Sequence, residues 1–253
     1  MKIRILGCGT STGVPVIGCQ CDVCRSTDPR NKRTRSSILI EAKGKNILID
    51  TSTDLRQQAL ANDIKHIDAV LFTHPHADHL HGIDELRSFN MLQGEKAIPC
   101  YGDNATIERI RTLFGYIFSE NRHGGWKPNL TLSVIDAPLR IENINITPIE
   151  IAHGNATILG FRVENISYLT DCSGIPELSL NKLKGLDLLI LGALRHKPHP
   201  SHFTIQEAID AAKRIAPKRT ILTHLSHGLD YVKDSAPLPD SVELGYDGMV
   251  IEI

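Results

Sequence analysis

His74-Pro-His76-Ala-Asp78-His79 places three imidazoles and a carboxylate within six residues, directly after the apolar run Ala69-Val-Leu-Phe-Thr73. Neutral imidazole and carboxylate bind zinc, manganese or iron, and open catalytic sites use three or four such groups while keeping a position for water. Alternate residues of an extended segment point the same way, so His74 and His76 can grip one ion while Asp78 and His79, past a turn, reach a second. Two divalent ions are therefore expected. An exposed polar loop would not gather four ligand-type side chains beside the end of a buried strand. Three lone positions downstream, His153, Asp171 and His224, each follow an apolar run that reads as a strand, at 144–152, 166–170 and 220–223. A rigid two-ion site needs ligands delivered in this way from several strand ends.

An HxHxDH motif followed in order by a single His, an Asp and a last His resembles the metallo-β-lactamase superfamily, and the resemblance covers essentially the whole chain. It implies that His74, His76 and His153 hold the first ion and that Asp78, His79 and His224 hold the second, with Asp171 bridging. It also implies a four-layer αβ/βα sandwich; periodicity alone supports only an α/β class.

A second cluster, Cys19-Gln-Cys21-Asp-Val-Cys24, brings three thiols within six residues behind Gly18. These could supply three corners of a tetrahedral zinc site, which closes only with a fourth ligand. The local sequence offers none. His227, three residues after His224 in Thr223-His-Leu-Ser-His227, can face away from the catalytic ions and is the best fourth ligand. One structural zinc is expected in this cysteine insert at about 18–25, besides the catalytic pair, for which the ligand types accept manganese or zinc. Cys8, Cys100 and Cys172 are isolated and read as small buried fillers. The glycine-rich Gly7-Cys-Gly-Thr-Ser-Thr-Gly13 lacks the Lys-Ser/Thr ending of a phosphate loop and reads as a tight bend.

The elements that must position these groups alternate along the chain. Strands are expected at 1–7, 36–41, 46–50, 69–73, 98–101, 130–135, 143–151, 158–163, 167–170, 186–191, 219–223 and 249–253, with a hairpin turn at 42–45. Helices are expected at 54–62, capped by Ser52, Thr53 or Asp54, and at 83–93, 104–114 and 204–215, the last capped by Thr204. Residues 115–129 read as irregular. No low-complexity linker divides the chain, so 1–253 is expected to form a single domain.

Composition narrows the function. An apolar content of 41% is that of an ordinary globular protein, and a net charge of -1 gives no basic field for nucleic acid. No signal-like leader and no membrane-length apolar run is visible, so a cytoplasmic location and reduced cysteines are expected, with no membrane partner. Two adjacent ions and no GxSxG nucleophile favour hydrolysis by a metal-bridging hydroxide, at either phosphorus or a carbonyl carbon. The Gly-Cys-x-Cys-x-x-Cys insert, Thr170-Asp-Cys-Ser-Gly-Ile-Pro176, Thr223 to His227 and Gly245-Tyr-Asp-Gly-Met249 together resemble the cyclic phosphate phosphodiesterases of the carbon-phosphorus lyase pathway. That branch has a His at the place of His202, so the resemblance implies a small anionic phosphodiester substrate and a leaving-group role for His202. Asp78, besides holding the second ion, would take the hydroxide proton, and the helix start after His202 would offer N–H groups to the phosphate. An RNA endonuclease of the tRNA 3′-processing type and a non-catalytic metal-binding protein are the competing readings. A homodimer is left open. His196 and His199 have no assigned role, and His66, His81 and His123 read as surface residues.

Overall fold

Isoleucine at every second position builds the centre of the molecule. In β1 (Lys2–Gly7), β2 (Ser37–Ala42) and β3 (Lys45–Ile49), residues Ile3, Ile5, Ile38, Ile40, Ile47 and Ile49 all point to one face and are fully buried there. Leu39 and Leu48, one position out of step, point to the other face. Lys43 and Gly44 both take positive φ, the requirement of a two-residue hairpin turn, and they join β2 to β3 where the hairpin was expected.

The computed structural model describes residues 1–119 and 126–253. The remaining strands are β4 (Ala69–Leu71), β5 (Ile98–Gly102), β6 (Leu130–Val134), β7 (Leu139–Ile141), β8 (Ile144–His153), β9 (Ala156–Val163), β10 (Ile166–Leu169), β11 (Leu188–Gly192), β12 (Arg219–Thr223), β13 (Val242–Leu244) and β14 (Val250–Glu252). Among the described residues they form two sheets of seven strands, ordered β14-β1-β2-β3-β4-β5-β6 and β13-β12-β11-β10-β9-β8-β7. The pairs from β3 to β6 in the first sheet and from β10 to β13 in the second are parallel, and the others are antiparallel. The isoleucine face of the first sheet packs on Ile149, Ile151, Phe161 and Tyr168 of the second in one apolar cluster. Each such side chain contributes roughly 1.5–3 kcal/mol through its burial.

Helices close both outer faces. On the first sheet, Leu55, Leu86, Phe89, Ile107 and Ile110 cover Leu39, Leu48, Val70 and Phe72. On the second, helix Ile205–Ile215 lays Ala208, Ile209, Ala212 and Ile215 against the sheet, its start fixed by a capping box between Thr204 and Glu207. The result is the helix–sheet–sheet–helix sandwich.

Several elements differ from the sequence reading. The expected helix at 83–93 is a 3₁₀ turn, Ile83–Glu85, leading into helix Leu86–Leu92. Part of the expected irregular stretch is a short helix, Gly115–Phe118; His123 lies outside the described residues. Asp54 stands at the start of helix Leu55–Ala61 without a side-chain cap bond, because its carboxylate is taken by Arg35 at 2.9 Å. Strands β7 and β13 and helices Asp22–Arg25, Ala77–Leu80, Glu177–Lys182 and Tyr231–Ser235 had no counterpart in the sequence reading. All are three to six residues long, too short to show a period. No helix among the described residues is long and apolar enough to cross a membrane.

Candidate metal centre

Three strands end in the same way. Asp50 after β3, Asp171 two residues past β10, and His224 after β12 all take left-handed backbone conformations, with φ of 64°, 53° and 59°. Asp and His tolerate this region better than most residues. A left-handed residue breaks the pairing and swings its side chain over the sheet's end. Gly192 makes room for the second of these turns, since a Cβ there would lie 2.9 Å from the Asp171 amide nitrogen. The motif 74–79 follows β4, and His153 closes β8. The candidate ligands thus come from both sheets and converge on the cleft between their ends.

Two groups form there. His74, His76, His153 and Asp171 make one; Asp78, His79, Asp171 and His224 make the other, and in each the ligand atoms lie within 4.8 Å of one another. His74 Nε2 is 3.0 Å from His76 Nδ1. His79 Nε2 is 3.2 Å from oxygens of both Asp78 and Asp171, and His224 Nδ1 is 3.2 Å from Asp171 Oδ1. With metal–ligand bonds of about 2.0–2.1 Å, neighbouring donors on one ion stand about 2.9–3.4 Å apart. Asp171 is common to both groups, where the resemblance put a bridge.

The electrostatics fit a cation as well. Burial pushes the Asp171 carboxyl up, but His224 and His79 outweigh it and hold it well below the usual carboxylate range. Asp78 is likewise held low against its burial, chiefly by His79. Burial works against charge on His79, yet Asp171, Asp78 and Asp50 raise it well above the usual imidazole range. Three carboxylates thus ask for positive charge at one point. Burial pushes His74, His76 and His224 down, which keeps them neutral and able to bind a cation. Asp78 Oδ2 and His79 Nε2 are buried without a hydrogen-bond partner, which is costly unless something else satisfies them. Divalent cations in the two groups would do so, and the residues present fit them.

A buried carboxylate that the sequence reading missed aims the ligands. Asp50 Oδ2 lies 2.7 Å from His79 Nδ1, and both groups are fully buried. Thr73 donates from its amide and hydroxyl to the same carboxylate, and its hydroxyl lies 2.9 Å from His74 Nδ1. His153 Nδ1 donates to the Ser201 carbonyl at 2.9 Å, which leaves Nε2 for the site. Thr10 Oγ1 lies 3.2 Å from His224 Nε2, and Ser36 Oγ lies 3.3 Å from His224 Nδ1, the nitrogen that also faces Asp171. Partners of this kind commonly set ligand affinity by 10- to 100-fold. Asp50→Asn is expected to weaken cation retention by about 10-fold or more while both sheets stay folded. Chelator competition read beside circular dichroism checks this, and wild-type retention would discount Asp50.

His202 belongs to neither ligand group. Its Nδ1 lies 3.9 Å from Asp171 Oδ2, and its ring stacks on that of His224 at 4.9 Å and meets that of His153 at 4.8 Å. Burial, then His224, pushes its imidazole down to about 3. Of the expected N–H groups at the nearby helix start, three are already spent: Ile205 donates to the Arg195 carbonyl, Glu207 to Thr204 Oγ1, and Thr204 to Glu207 Oε2. His196 pairs with Asp234 at 2.7 Å, and His199 accepts at Nδ1 from the Ser201 amide. His66 and His81 are exposed.

The cysteine insert closes on the residue that spacing pointed to. Sγ of Cys19, Cys21 and Cys24 lie 3.3, 3.5 and 3.6 Å from His227 Nδ1. A tetrahedral zinc with Zn–S of about 2.3 Å and Zn–N of about 2.0–2.1 Å has an S···N edge of about 3.5 Å. The Cys24 amide lowers the Cys21 thiol to about 6, whereas burial raises Cys24 to about 11. Cys8, Cys100 and Cys172 are buried singly.

Known proteins resemble this chain. The octanoyltransferase of Porphyromonas gingivalis is 41% identical over 254 residues, covering 98% of this chain and 51% of that protein, so the chain spans about half its length. The crystal structure of a new diphosphatase from the PhnP family matches with a TM-score of 0.92 and 39% identity over 99% of this chain and 96% of that one. Zn(2+)-bound PqqB from Methylobacterium extorquens shares the fold, with a TM-score of 0.81 at 18% identity over the full length of both. A family model described as a beta-lactamase superfamily domain matches residues 45–225, a span that runs from Asp50 through the HxHxDH motif to His224. The paired candidate ligand groups at the ends of the two sheets, together with that match, make the chain a member of the metallo-β-lactamase superfamily.

Proposed function

We propose that the chain is a phosphodiesterase for small cyclic phosphates, of the ribosyl 1,2-cyclic or 2′,3′-cyclic nucleotide kind. The observation that carries this reading is His202, an imidazole outside both ligand groups that faces Asp171 at 3.9 Å. Hydrolysis of a phosphodiester needs help for the departing alkoxide, and an imidazole N–H is suited to give it. Similarity over the full chain to a diphosphatase, at 39% identity, supports phosphorus as the electrophile.

His74, His76 and His153 would hold one divalent cation, manganese or zinc, and Asp78, His79 and His224 the other, with Asp171 shared. Such a pair, when bound, makes hydroxide available from water near neutral pH and neutralises charge on a phosphate. The protein's own groups do the rest. Asp78 would take the proton released as water attacks. Asp50 keeps the His79 ring aimed through Nδ1, and the Ser201 carbonyl does the same for His153. His202, neutral without substrate, would take up a proton from solvent as the anionic diester binds beside it and give that proton to the departing oxygen. A structural zinc on Cys19, Cys21, Cys24 and His227 would stand apart from the chemistry.

His202→Ala is expected to slow an alkyl or ribosyl diester by about 10²-fold, the usual scale of acid catalysis. A nitrophenyl diester, whose leaving group needs little protonation, should be slowed much less. Equal losses on both, at unchanged metal content, would make His202 a phosphate-positioning group instead. The substrate class is tested with protein of measured metal content on cyclic phosphates, linear RNA, diphosphates and acyl thioesters, the last because of the octanoyltransferase relative. Faster turnover of any of the other three than of the cyclic phosphates would overturn the reading.

A further inference from the structure

The segment Gly245-Tyr-Asp-Gly-Met249 contributes to none of the ligand groups, yet its one carboxylate is surrounded by donors. Asp247 Oδ1 accepts from the Cys8 amide at 3.0 Å, and Oδ2 accepts from the Thr34 amide at 2.7 Å and the Thr34 hydroxyl at 2.6 Å. The segment is itself fixed on both sides, since Gly245 N donates to the Leu222 carbonyl and Gly248 N to the Ile5 carbonyl, each at 2.8 Å. Asp247 therefore ties together two segments: the one leaving β1 and the one entering β2. Both run on to His224. From Cys8 the chain reaches Gly9, whose carbonyl accepts from Ser36 Oγ, and then Thr10, whose hydroxyl lies 3.2 Å from His224 Nε2. From Thr34 it reaches Ser36, whose hydroxyl lies 3.3 Å from His224 Nδ1. Leu225 is held between the same segments, donating to the Cys8 carbonyl at 2.8 Å and accepting from the Thr10 amide at 3.2 Å.

We infer that Asp247 is a positioning residue for His224: by clamping Cys8 to Thr34 it sets the Thr10 hydroxyl at Nε2, which orients the ring so that Nδ1 faces Asp171, with Ser36 packed beside it. The inference rests on the reading of His224 as a ligand of the second cation. An asparagine at 247 keeps the shape but offers one acceptor oxygen, so its amide would face either Cys8 N–H or Thr34 as donor against donor. One of the two segments is then released, and the His224 ring loses a contact that defines its orientation.

The test is release of manganese(II) from the loaded full-length chain to a competing chelator. Asp247→Asn is expected to release one of its two ions about 10-fold more readily than wild type, the scale set by partners behind a ligand. Thr10→Val, which removes a hydroxyl at His224 without touching Asp247, should do the same, and the double variant should lose little more than the larger single loss. Coupled losses of that kind mark one pathway, whereas a merely structural effect of Asp247 would add to that of Thr10. Additive losses, or wild-type retention of both ions in Asp247→Asn, would overturn the inference. If Asp247→Asn does not fold, Thr34→Val, which removes a single donor, is read in the same assay against the same criteria. His224→Ala separates the two levels. Retention of both ions in that variant would overturn the ligand reading itself; loss of one ion there, with both kept in Asp247→Asn, would overturn only the role of Asp247.

Discussion

Asp171→Ala is expected to retain neither divalent cation and to lose turnover by at least about 10³-fold, because without the pair the pKa of water moves back from about 7 towards 15.7. The size of the effect follows from geometry. Asp171 is common to both ligand groups, standing 3.2 Å from His79 Nε2 and from His224 Nδ1 and 3.8 Å from His74 Nε2. Removing it takes away the negative charge that two cations would share and leaves their charges facing each other at close range. Metal analysis of the purified variant, beside its turnover of a cyclic phosphate, checks this. Full metal content with wild-type turnover would remove Asp171 from its bridging place. The alanine must also adopt a φ near 53°, so Asp171→Gly serves as a control that removes the carboxylate without that backbone strain.

The second large effect concerns stability rather than chemistry. Cys21→Ser is expected to lose a zinc ion and to melt about 10 °C lower. A site held a thousandfold above its Kd stabilises the fold by about 4 kcal/mol, which in a chain of this size corresponds to about 8–16 °C. Turnover at temperatures where the variant remains folded should change little, because the cluster lies outside both catalytic groups. A variant with wild-type zinc content and melting temperature would sink the assignment. The pH dependence has a definite sign. Zinc binding must displace the proton that Cys24, raised to about 11 by burial, keeps at neutral pH, so affinity climbs as pH rises towards 11. Cys21, lowered to about 6, adds a further loss of affinity only as pH falls through 6.

The candidate ligand groups were legible because their members stand at or just past the places where apolar runs stop, and that pattern survives without any knowledge of pairing. His227 was legible from its distance to His224. Asp50 carries the same signature, an acidic residue closing the run Asn46-Ile-Leu-Ile, and it could have been found by the rule that found Asp171 and His224. Thr10, Ser36 and Asp247 carry no such mark. Their importance comes from contacts that span 27 to 239 positions, such as Asp247 to Cys8, and no local pattern encodes those. The longer strands followed from alternation over five or more residues, whereas their stacking in layers was implied only by the superfamily resemblance. The edge strands β7 and β13, three residues each, are fixed by their neighbours' open hydrogen bonds rather than by propensity.

His79 and His224 hang from different sheets with their rings stacked 5.8 Å apart, and the chain between them is more than half of the molecule. In polymer terms, an ion gripped by both is a reversible cross-link closing a very long loop, and the entropy it removes from the unfolded chain grows only logarithmically with that length. Such a link must open before the sheets can part. The lifetime of the folded state then depends on how fast the ion leaves, so a chelator acts on the rate of unfolding as well as on its equilibrium.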